Sequence, residues 1–133
     1  MSYESNIDAS ALFFAGEDKT LSYEVLGEGA MEDVAGWALA WELRPIVVGR
    51  EPYRAQGASV INKTTAAGDG ITITGTYNAN RSANTQRVVV AIGDTDTEEL
   101  AGGRYVCSLK RTDAGLEAVL SHGTVELLVA AVR

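Results

Sequence analysis

The chain has 133 residues, of which 46% are hydrophobic and 22% charged, and a formal net charge of −7. That apolar share suffices to fold one two-layer core and excludes a disordered chain. Only 11 Lys and Arg stand against 18 Asp and Glu, which excludes a nucleic-acid partner, because such affinity comes from cations that neutralise phosphates.

The opening stretch Met1-Ser2-Tyr3-Glu4-Ser5-Asn6 lacks the positive and apolar regions of a secretory signal, so synthesis in a reducing cytoplasm is expected. Residues 1–10 read as an N-terminal arm able to drape over a neighbouring subunit, and 11–133 as a single domain. The spacing predicts strands over 11–14 and 19–26, joined by a turn at 16–18, then an acidic loop over 27–34 with Glu28, Glu32 and Asp33. In 37–44, Trp37, Leu39, Trp41 and Leu43 alternate with smaller or polar residues, the pattern of a core strand covered on one side. Pro45 and Pro52 follow it, where missing N–H donors are tolerated. No apolar run is long enough to span a bilayer.

A short strand over 58–62 and a turn over 63–70 precede 71–77, where Ile71 and Ile73 share one face and Thr72, Thr74 and Thr76 the other. After a polar loop at 78–84 comes a strand over 86–92, of which the run 87–92 is apolar enough to be buried on both faces or covered by a neighbour. A long connection over 93–103 leads to three more strands, 104–111, 116–121 and 124–132, with tight turns at Asp113-Ala114-Gly115 and His122-Gly123. Eight or nine short strands without intervening helices predict an all-β fold: an antiparallel two-sheet β-sandwich, Ig-like or jelly-roll-like.

Groups able to do chemistry are few. His122 is the sole histidine, so an imidazole-based metal site has no second ligand, and the neighbouring Ser121 would face the opposite side of a strand. Cys107 is the one cysteine and lies in a strand-like run, Tyr105 to Leu109, as a small buried hydrophobe does. Asp94-Thr95-Asp96-Thr97-Glu98-Glu99 concentrates acids but lacks the glycine and the twelfth-position Glu of an EF-hand loop, so it reads as a loop bonding its own backbone. Gly27-Glu28-Gly29 lacks a P-loop lysine, and the two Asn-X-Ser/Thr matches carry no weight without a signal peptide. No catalytic, cofactor or metal site is expected.

The second half carries an ordered set of motifs: Lys63 with Gly70-Ile71-Thr72-Ile73, then Thr97, Leu100, Gly103 and Tyr105, then Leu120 and Gly123. It resembles small β-sandwich domains of tailed-phage virion proteins, including the amino-terminal domain of baseplate upper proteins and related short prophage proteins. There a "K…G-I-x-I" strand, a "D-T-x-x-L-x-x-G-x-Y" corner and a closing "L-x-x-G" hairpin recur. The segment from Phe13 to Thr20 is similar to that family's entry strand and turn. In the corner, Gly103 permits the chain reversal while Tyr105 buries its ring and bonds loop backbone through its hydroxyl.

The resemblance implies a non-catalytic structural protein of a virion, made in the bacterial cytoplasm and placed in the tail, in the baseplate or on the capsid surface. Its partners would be other virion proteins, or further copies of itself in a homo-oligomer or multi-copy assembly. The alternative from another class is a carbohydrate-binding sandwich, which requires an exposed aromatic platform drawn from Trp37, Trp41, Tyr53 and Tyr77.

Overall fold

The computed structural model describes residues 3–7, 12–14, 16, 18–27, 30–46 and 58–128, the first two segments as backbone. Among them are ten strands: β1 (Tyr3–Ile7), β2 (Leu12–Phe14), β3 (Lys19–Gly27), β4 (Ala30–Met31), β5 (Leu39–Pro45), β6 (Ile61–Thr64), β7 (Ile71–Thr74), β8 (Arg87–Ile92), β9 (Gly103–Arg111) and β10 (Ala118–Leu128). A single helical turn, α1 (Asp94–Thr97), interrupts the connection between β8 and β9.

The strands form two five-stranded sheets. One has the order β1-β3-β8-β7 with β4 beside β3, and the other the order β2-β10-β9-β5-β6. Every pairing is antiparallel except β2 with β10, where Leu12 lies opposite Glu126. The chain therefore crosses between sheets from β1 to β2, β2 to β3, β4 to β5, β6 to β7 and β8 to β9. This is the connectivity of an immunoglobulin-type sandwich, so the Ig-like arrangement is the one found and the jelly-roll is not.

The core follows from alternation. Leu21, Tyr23 and Val25 of β3 and Val88, Val90 and Ile92 of β8 point inward from one sheet. Leu39, Trp41 and Leu43 of β5 and Cys107 and Leu109 of β9 meet them from the other. At the open edge, the turn after β6 joins the sheets through an isolated bridge between Thr64 and Gly70.

Several expectations change. The stretch read as an arm contains β1, which pairs with the chain's own β3, Tyr3 opposite Gly27. The run 86–92 is covered on one face only, since Ala91 is exposed and Arg87 and Val89 are half-buried. No turn occurs at His122-Gly123: Gly123 sits in the ladder opposite Cys107, within one continuous β10. The irregularity lies instead between Val119 and Ser121, where a register shift inserts Leu120. That bulge sends Leu120 into the core and leaves Val119 outside, which is how an added residue re-aims a strand. Pro52, Tyr53 and residues 129–132 lie outside the described residues.

Candidate functional site

Three constellations could carry function: a polar cluster in the core, a clasp at the β8–β9 corner, and a loop-built surface around Trp37. The first joins the two sheets. Trp41 on β5 is 0% exposed, and its Nε1–H donates to the Tyr23 hydroxyl on β3 at 3.0 Å. The same hydroxyl meets the Cys107 thiol on β9. In antibody domains a disulfide bridges these two strands beside a buried tryptophan; here a tyrosine and a free thiol take that place. Burial pushes both the phenol and the thiol above their ordinary ranges, so both stay protonated and unreactive.

The clasp explains why the second-half motifs occur together. Lys63 on β6 reaches across Gly70 to pair with Asp96 of α1 at 2.8 Å. A side chain on Gly70 would place Cβ 2.5 Å from Lys63 Cδ, and its φ of +104° also favours glycine. Asp96 accepts the Gly93 N–H at 2.7 Å as well. Burial works against its ionisation, but Lys63 and that N–H together hold its carboxyl below the usual range. Thr97 is buried and accepts the Gly16 N–H at 3.0 Å. Gly103 has φ +143°, and two residues on Tyr105 donates its hydroxyl to the Ala101 carbonyl at 2.5 Å, the corner geometry that such sandwiches use to turn between sheets. The acidic loop is thus bound into the fold, with Asp94 N–H bonded to Asp18 at 2.8 Å.

The third constellation faces outward. Trp37 precedes β5 rather than opening it, so it does not share the fate of Trp41: it is half-buried, with the Arg111 guanidinium 3.9 Å above its ring. Arg111 ends β9, and its Nε–H donates to Asp113 at 2.8 Å. Asp113 in turn accepts the Ala38 N–H, while Thr112 N–H donates to the Ala38 carbonyl. Arg111 first, then the Ala38 N–H, holds the Asp113 carboxyl below its ordinary range. The 32–38 loop and the 112–117 hairpin are therefore one braced unit.

A groove of about 520 Å³ lies on the Trp37 side, lined by Gly36, Ala38, Thr65 and Ile71 to Ile73. A second, of about 390 Å³, lies on the Arg111 side, lined by Lys110, Thr112, Glu117, Ala118 and Val119. Beside it stand Leu116 and Val119, 55% and 57% exposed.

Among the described residues the aromatic platform is not assembled. Trp41 is in the core, Tyr53 lies outside the described residues, and Tyr77 is half-buried with its hydroxyl bonded to the Met31 carbonyl. His122 is exposed on β10 opposite Ser108. Among the described residues no His, Cys, Asp or Glu group gathers as a metal site would require, and no helix is long and apolar enough to cross a membrane.

No family model and no curated protein matches the chain. Sequence reasoning missed Arg111, Leu116 and Val119. Arg111 fell at the end of the expected strand 104–111, and Leu116 and Val119 within the expected strand 116–121, so the strand pattern absorbed all three.

Proposed function

We propose that this chain is a non-catalytic structural protein of a tailed-phage virion, acting in the tail, in the baseplate or on the capsid surface by packing against other virion proteins. The likeness of its Lys63, Gly70, Thr97, Leu100, Gly103 and Tyr105 motifs to phage virion sandwiches supports the setting. The observation that carries the contact role is the braced hairpin surface, where Leu116 and Val119 are left in water beside an arginine stacked on a tryptophan. Arginine and tryptophan are among the residues that carry most of the binding energy at protein interfaces, and the exposed aliphatics beside them add apolar area for a partner to cover.

The test is mass spectrometry of purified particles together with a Leu116→Asp/Val119→Asp variant. The parent chain is expected at constant stoichiometry, and the variant is expected to fold, by circular dichroism, yet to be lost from particles. Absence of the parent chain from particles overturns the virion setting. Undiminished incorporation of the variant overturns the surface.

A further inference from the structure

The sheet order leaves β7 at a rim, with β8 on one side and no strand on the other among the described residues. The Ala91 N–H donates to the Gly70 carbonyl at 2.9 Å, so the alternating ladder also turns the main-chain groups of Thr72 and Thr74 towards β8. Those of Ile71 and Ile73 therefore point away from it. The bridge between Thr64 and Gly70 closes the first end of this edge. Beyond it, the Ile71 carbonyl and both main-chain groups of Ile73 meet no hydrogen-bond partner among the described residues. Edge strands are ordinarily blunted by charge, proline or a bulge. Ile71-Thr72-Ile73-Thr74 has none of these, being four uncharged β-branched residues in unbroken register with β8.

The space beside that edge fits the same reading. Ile71 is buried and Ile73 half-buried, both on the face that looks towards the other sheet. The groove of about 520 Å³ continues this face past the last strand, with Trp37, Ala38 and Thr65 as its far wall, and none of its described lining residues is charged. Trp37 and Ile73 pack on the core from its rim, so the apolar interior is open there. In a strand added beside β7, the residue in a hydrogen-bonded pair with Ile73 points its side chain to the same side as Ile73, into the groove. One position would thus both bond the free main chain and fill the space.

We infer that β7 takes up an extended segment of another protein as a further strand, with a β-branched aliphatic residue opposite Ile73. The added strand runs antiparallel, as every pairing in this sheet does. That residue exchanges two main-chain bonds with Ile73, and the residue two further on donates to the Ile71 carbonyl. A second copy of this chain fits less well, because its Ile71 and Ile73 are committed to their own core and the groove would stay unfilled. The site uses neither Leu116 nor Val119, so it stands or falls independently of the hairpin surface.

The probe is a capped peptide, Lys-Thr-Val-Thr-Val-Thr-Lys, titrated into the ¹⁵N-labelled full chain. One control carries N-methyl groups on both valines, which removes the donors aimed at β7 and keeps the side chains; a second replaces both valines by aspartate. Shifts are expected at Gly36, Ile71, Ile73 and the Trp37 indole N–H, and the Ile73 amide, open to hydrogen exchange in the free chain, should become protected. Both controls should bind at least about tenfold more weakly. Ile73→Pro deletes an N–H that the ladder with β8 does not use, so it should abolish the response and leave the circular dichroism unchanged. Should that variant fail to fold, the three peptides on the unaltered chain still decide. Equal response to all three, no response to the parent peptide, or shifts mapping away from β7 overturns the inference. So does an Ile73 amide already protected in the free chain, which would mean that the chain itself or a second copy covers the edge.

Discussion

Tyr23→Phe tests whether a hydrogen bond has taken over the cross-sheet role of a disulfide. The substitution keeps the ring and removes the one acceptor of the Trp41 indole N–H, a donor with no exposure to solvent. Leaving a buried donor unsatisfied costs about 1–3 kcal/mol. Part is regained because the hydroxyl no longer has to be desolvated, so a net loss of about 1–2 kcal/mol is expected. For a domain of this size that lowers Tm by roughly 3–10 °C. Urea unfolding followed by circular dichroism gives the value for Tyr23→Phe, Trp41→Phe and the double variant. If the contact acts as a unit, the double variant is less destabilised than the sum of the singles by about 1 kcal/mol. A Tyr23→Phe protein as stable as the parent, or strictly additive losses, would refute the reasoning.

Tyr23 and Cys107 are raised by burial in the folded state, so they hold protons that the unfolded chain releases. Their stabilisation is full below the ordinary thiol and phenol values and falls as pH rises through about 8.5 to 10; a Tyr23→Phe/Cys107→Ala chain should lose less stability over that window in urea titrations. Asp96 and Asp113 are lowered, so their share is present above about pH 4 and lost as pH falls below it; Asp96→Asn should flatten this acid limb of the unfolding midpoint. Gly70→Ala imposes a strained φ and pushes on Lys63, with an expected loss of about 1–3 kcal/mol by thermal unfolding. Tyr105→Phe gives up the bond to Ala101 and should cost about 1 kcal/mol, measured the same way.

Which parts of the molecule could be read in advance depends on whether one residue or a distant pair carries the information. Alternation alone placed Leu39, Trp41 and Leu43 inside, and the glycine before Tyr105 marked the corner, because both are local patterns. Strand β1 escaped notice because Glu4, Ser5 and Asn6 make most of Tyr-Glu-Ser-Asn-Ile polar; its pairing comes from β3. The glycine in His122-Gly123 suggested a turn that the ladder with β9 overrides, since an extended glycine pairs like any other residue. Trp37 kept the alternating phase of β5 yet left the strand, because the 32–38 loop is tied to Asp113 and to Gln86, whose side chain accepts the Val34 N–H. The outward surface depends on such contacts between segments far apart in sequence, so Arg111 and Val119 gave no local sign of their role.

The parallel pairing of β2 with β10 has a consequence for how the molecule folds. Leu12, Phe13 and Phe14 align with Glu126, Leu127 and Leu128, so β2 finds its ladder partner far along the chain. Until β10 forms, β2 has no edge to join, and closing such a long loop is slow compared with forming the β9–β10 hairpin. Refolding should therefore show an early phase in which β9 and β10 protect their amides from exchange, followed by a slower one in which β2 gains protection.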